Sequence, residues 1–73
     1  MAIKHVDVES SNIQSLGYDE KNKILEVRFK GGGLYSYKDV PHSTYKALLS
    51  SKSIGSAFHA LIKNADFEWD KVE

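Results

Sequence analysis

The stretch KILEVRFKGGGLYSY, residues 23–37, decides the fold. Leu25, Val27 and Phe29 alternate with Glu26, Arg28 and Lys30, the two-residue period of a strand with one buried face. Gly31, Gly32 and Gly33 supply a turn, because residues without Cβ take the positive φ values of a tight reversal. Tyr35 and Tyr37 continue the alternation on the return strand. Placing Phe29 opposite Tyr35 and Val27 opposite Tyr37 gathers all five of these apolar and aromatic side chains on one face.

Working outward toward the N-terminus, Asp19-Glu20-Lys21-Asn22 is a polar turn, with Asn22 the expected left-handed residue. Ser11 to Tyr18 reads as another strand, and the odd spacing of Ile13 and Leu16 implies a bulge or twist. Residues 1–9 form an extended N-terminal arm or an irregular first strand. In the other direction, Asp39-Val40-Pro41 marks the change to helix, since proline suits a first helical turn. Tyr45, Leu48 and Leu49 recur at helical spacing until Ser50-Ser51-Lys52 breaks the run. Ser53 is a good N-cap for a second helix, whose apolar stripe is Ile54, Phe58, Leu61 and Ile62, and Asn64 can end it. Residues 66–73 form an acidic tail with Phe67, Trp69 and Lys71 alternating, able to fold back on the sheet or to pack over a helix.

The order strand, strand, strand, helix, helix predicts an α+β fold: a three-stranded antiparallel β-meander followed by two α-helices packed on one face. The predicted core is Ile13, Leu16, Leu25, Val27, Phe29, Tyr35, Tyr37, Tyr45, Leu48, Leu49, Ile54, Phe58, Leu61 and Ile62.

The 73 residues allow one small domain. The absence of cysteine excludes disulfides, zinc fingers and thiol nucleophiles. No apolar run approaches the roughly 20 residues that span a bilayer, and the N-terminus lacks the apolar core of a signal peptide. A cytoplasmic location without membrane contact is expected.

Net charge is zero, but the charges are sorted. Residues 1–20 and residues 64–73 each carry a balance of −3, and residues 21–63 carry +6. A basic middle between acidic ends is either an anion-binding surface or one that the ends neutralise within the fold.

His5, His42 and His59 have no metal-ligand spacing, and no serine sits in a nucleophile elbow or a recognisable acid–His–Ser arrangement. The chain therefore reads as non-enzymatic, with no catalytic residue, metal or cofactor. The glycine run lacks the order of a phosphate loop and leads into a strand. Two constellations carry a binding interpretation. Tyr35 and Tyr37, flanked by Arg28, Lys30 and Lys38, can stack bases while cations hold phosphates, or else both tyrosines are core. Lys52, Ser53, Gly55 and Ser56 place hydroxyls, a cation and free amides at a helix start, the parts of an anion site or of an ordinary serine cap. A nucleic-acid surface further needs Arg28, Lys30, Lys38, Lys52 and Lys63 on a common face.

Read together, Ser10-Ser11-Asn12-Ile13, Gly17-Tyr18-Asp19, the LxVxF strand at Leu25–Phe29, Tyr35-Ser36-Tyr37, Val40-Pro41, Tyr45, Leu48-Leu49 and Ser53-Ile54-Gly55 with Phe58 resemble the KTSC domain. That family takes its name from the C-terminal domain of certain lysyl-tRNA synthetases and includes free-standing proteins of bacteria and phages. The resemblance covers about residues 10–65. It implies a small binding domain with RNA, tRNA in particular, as partner, with Tyr35 and Tyr37 as the central YxY motif and Ser53, Gly55 and Phe58 opening the second helix. His59 and the acidic tail depart from the family pattern. Two other roles stand beside RNA binding: protein interaction, with the chain a monomer or weak homo-oligomer, and capture of a small nucleotide or anion at the Ser53 helix start.

Overall fold

Alternate residues of the central strand are fully buried, and the fold is layered around them. The computed structural model describes residues 3–73; the first two positions of the expected N-terminal arm lie outside the described residues. One antiparallel sheet contains β1 (His5–Asp7), β2 (Ile13–Asp19), β3 (Ile24–Phe29), β4 (Leu34–Tyr37) and β5 (Trp69–Lys71), hydrogen-bonded in that order. Helix α1 (His42–Leu49) and helix α2 (Ile54–Phe58) follow β4, and α2 runs directly into a π-helical turn at His59–Lys63. No helix among the described residues is long and apolar enough to cross a membrane.

The α+β class, the consecutive meander β2-β3-β4 and the helices on one face agree with the sequence; the strand count does not. Five strands stand where three were expected. The N-terminal arm contributes β1 along β2, and the acidic tail folds back as β5 along β4. Both additions are three residues long, and the sequence left each open as a strand without fixing its pairing. They close the meander's two edges, where unpaired backbone groups would otherwise face solvent.

The hairpin register also differs. Val27 lies opposite Tyr35 and Leu25 opposite Tyr37, so the reversal is centred one residue earlier than expected. Gly32 and Gly33 both take positive φ, 108° and 96°, and the Phe29 amide donates to the Gly33 carbonyl at 3.1 Å. Cross-strand partners shift by two residues, which preserves the face of every side chain. In β2 the register breaks between Ile13 and Ser15, and the bulge at Gln14 accounts for the uneven apolar spacing. In the turn after β2, Lys23 and not Asn22 is left-handed, with φ 57°. Asn22 is held instead by the Asp19 carboxylate, which accepts from the amides of Lys21 and Asn22 and from the Asn22 side chain. Those bonds hold the Asp19 carboxyl below its ordinary pKa, the Asn22 side-chain bond most of all.

Between sheet and helices lie Ile13, Leu16, Leu25, Val27, Tyr37, Val40, Leu48, Ile54, Phe58 and Ile62, with Phe29, Tyr35, Tyr45 and Leu61 packed at the margin. Val40 is fully buried although the sequence placed it in a connection. Its amide donates to the Lys23 carbonyl, and its own carbonyl accepts from the Tyr18 hydroxyl. Leu34 is buried as well, flanked by Arg28 on β3. Leu49, expected in the core, is 36% exposed while Leu48 is 0% exposed. Adjacent helical residues point about 100° apart, and α1 is short enough to present only a narrow stripe. Pro41 is the residue before the helix, extended at φ −63° and ψ 147°, and does not belong to its first turn.

This pair of neighbours provides a stability test. Leu48→Ala is expected to cost about 2–5 kcal/mol by cavity formation. Leu49→Ala should fall within about 0.5 kcal/mol of the parent. Urea denaturation midpoints at constant slope measure both, and equal losses would overturn the assigned phase of α1.

Candidate binding site in an aromatic pocket

The last turn of the helical layer does not cover the whole sheet, and the uncovered end is an open pocket of about 540 Å³. Its floor is aromatic because β3, β4 and β5 each present a ring there: Phe29, Tyr35 and Tyr37, and Trp69. Tyr37 and Trp69 are direct cross-strand partners. Tyr35 stands 5.5 Å from Phe29 edge-to-face and 5.6 Å from Trp69 at a tilt. The depths differ. Tyr37 is buried and meets Phe58 edge-to-face, Tyr35 is half-buried, and Trp69 is 56% exposed. Burial, with a smaller push from Tyr35, keeps the Tyr37 hydroxyl above its ordinary pKa and therefore neutral.

The remaining wall comes from the π turn and the connection after it. The Asn64 amide donates to the His59 carbonyl, an i→i+5 bond that widens the helix at its end. Ile62 and Lys63 from this turn line the pocket, followed by Asp66 and Phe67. Asp66 is left-handed at φ 61°, a conformation that aspartate tolerates better than most residues. Among the described residues neither Lys63 nor Asp66 takes part in a salt bridge, with the other or elsewhere. The pocket thus combines stacking surface with one cation and one carboxylate.

The serine-rich segment forms a second concavity of about 410 Å³ at the start of α2. Lys52, Ser53, Gly55 and Ser56 do converge there, opposite Ser10 and Asn12 from the loop before β2. Glu9 lines the same cleft and opposes an anion. The Ser53 side chain makes no capping bond; the Ser51 hydroxyl accepts from the Ser53 amide at 3.2 Å and donates to its carbonyl at 3.0 Å. With only five α-helical residues, α2 aligns few peptide dipoles behind this cleft.

The cations do not share a face. Alternation puts Arg28 and Lys38 on the helix-free side of the sheet, where Glu73 and Asp70 from the C-terminal segment pair with them at 3.1 and 3.2 Å. The bond to Asp70 raises the Lys38 pKa. Lys30 is exposed in the hairpin loop, Lys52 lies in the serine cleft and Lys63 lies at the aromatic pocket. The acidic tail therefore pairs with part of the basic middle, and the fold gathers the predicted site residues in two places: Tyr35, Tyr37 and Lys63 at the aromatic pocket, and Lys52, Ser53, Gly55 and Ser56 in the serine cleft.

One constellation escaped the sequence entirely. On the helix-free face the His5 ring lies 2.8 Å from the Ser15 hydroxyl through Nδ1 and 2.8 Å from the Glu26 carboxylate through Nε2. This acid–His–Ser chain ties β1, β2 and β3 together, and its serine is buried. No local signal announces it, because it depends on the pairing of His5 with Gly17 across β1 and β2. His42 stacks on Tyr18 at the start of α1, and His59 lines the serine cleft. Among the described residues no three His, Cys, Asp or Glu side chains group to hold a metal.

The sheet with its two helices matches known proteins over nearly the whole chain. The family model for the KTSC domain matches residues 9–67. The chain belongs to the KTSC domain family. It is 38% identical over 97% of its length to the whole of an uncharacterised protein of Stutzerimonas stutzeri. A protein of Tsukamurella paurometabola is 41% identical over 77% of this chain and 84% of its own. The crystal structure of a KTSC domain protein from Yersinia pestis superimposes with a TM-score of 0.92 at 36% identity, covering 99% of this chain and 100% of that one.

The contact under His5 can be tested directly. A Cβ on Gly17 would stand 2.7 Å from His5 Cδ2 and 2.9 Å from Ile3 Cγ2, closer than packed atoms allow. Gly17→Ala is expected to loosen β1, raising amide exchange at residues 5–8 at least tenfold while β3 stays protected. Unchanged exchange in β1 would show that the His5 chain does not hold this edge.

Proposed function

We propose that the domain is a non-enzymatic binding module that captures single-stranded RNA by seating a base in the aromatic pocket. The observation that carries this reading is the gradient of exposure from Tyr37 through Tyr35 to Trp69, which leaves a large ring face open at the mouth of a concave, aromatic-floored site. Single-stranded nucleic acids are recognised by stacking unpaired bases on such rings, and each base so stacked is worth roughly 1–3 kcal/mol. Lys63 stands where it can meet a phosphate of the stacked nucleotide. The RNA-binding role implied by the KTSC resemblance supports the same reading.

The charges define its character. Arg28 and Lys38 are occupied by Glu73 and Asp70, and Lys63 is the one lysine or arginine lining the pocket. Stacking supplies most of the affinity, and salt weakens it little.

Trp69 is the sole tryptophan, so its emission reports the pocket directly. Titration with a single-stranded RNA oligonucleotide should quench it saturably. Trp69→Ala should weaken binding in a mobility-shift assay by about tenfold, the loss of one stacked base. Lys63→Ala should reduce the slope of log K against log salt by about 0.7, the value for one phosphate contact on a single strand. Absence of both quenching and retardation at high micromolar protein would remove the proposal.

A further inference from the structure

We infer that the aromatic pocket selects among bases and favours guanine, through the carboxylate of Asp66; this rests on the base-stacking reading above. Asp66 lines the pocket beside the rings, and its side chain makes no hydrogen bond or salt bridge among the described residues. Asp70 and Glu73 of the same segment are both engaged by cations. The left-handed backbone of Asp66, with its amide directed to the Lys63 carbonyl at 3.4 Å, holds the residue at the pocket wall.

An ionised carboxylate only accepts hydrogen bonds, through two oxygens side by side. Guanine offers two adjacent donors, N1–H and the N2 amino group, that match them in a bidentate, charge-assisted pair. Adenine sets its amino group beside the N1 acceptor, and cytosine sets its own beside N3. Uracil flanks its N3–H with two carbonyl oxygens. Each of these three brings an acceptor against the carboxylate, which costs the pair one of its two hydrogen bonds and sets two acceptors against each other.

The test titrates GMP, AMP, CMP and UMP separately, reading Kd from Trp69 emission and from the amide shift of Asp66. GMP is expected to bind about tenfold more tightly than the others, the discrimination typical of one bidentate pair. Inosine monophosphate, which lacks the N2 amino group, should lose most of that advantage. Asp66→Asn should abolish the guanine preference, because a carboxamide sets a donor beside its acceptor, and asparagine accepts the left-handed backbone, so the urea midpoint should hold. Equal affinities in the parent chain, or a guanine preference that survives Asp66→Asn, would overturn the inference and leave base stacking standing. If RNA and all four nucleotides leave Trp69 emission unchanged, the base-stacking reading falls and takes this inference with it.

Discussion

Everything in this domain rests on burying the alternate residues of its central strand. Leu25 and Val27 are fully enclosed between Leu16 on one neighbouring strand, Tyr37 on the other and the helical side chains above. A chain of this size has few such residues to bury, so its stability resides in a small set of contacts. The two-residue period of a strand leaves no freedom once they face inward. Glu26 and Arg28 must then point to the other side, and Phe29 and Tyr35 must end at the margin of the helical layer. The aromatic pocket is that margin.

Those consequences explain what could be read from the sequence. The hairpin, both helices and eleven of the apolar residues now in or against the core announce themselves through periodicities of two and 3.6, which depend on local geometry alone. The hairpin register slipped by two because three consecutive glycines allow the reversal at more than one place. The alternation survived that slip, since a shift of two preserves faces. Leu49 was misassigned because Leu48 and Leu49 are equally apolar, and only the position of α1 over the sheet distinguishes them.

The site was legible in part. Tyr35, Tyr37 and Lys63 stand out in the sequence, but each as a member of a basic surface whose cations the fold sets apart. The alternation of Phe67, Trp69 and Lys71 left the tail's return open beside packing over a helix, and could not choose because β5 joins β4 from more than 30 positions away. That one return pairs Arg28 and Lys38 with Glu73 and Asp70 and supplies Trp69. Asp66 and Phe67 enter the pocket by the same path. A charge count treats the tail as an obstacle to binding, whereas the structure makes it a wall of the aromatic pocket.

The short outer strands have a bearing on how the protein behaves when concentrated. A sheet edge recruits other chains in proportion to the length of unpaired backbone it displays and to the apolar character of its side chains. Here each edge strand is three residues long, with His5 and Asp7 flanking Val6 on one and Asp70 and Lys71 following Trp69 on the other. A strand docking there would find little backbone to pair with and would have to desolvate charges. The same two segments that complete the sheet thus cover the backbone edges of a central meander rich in aliphatic and aromatic residues, the place where gatekeeper residues act against fibrous growth.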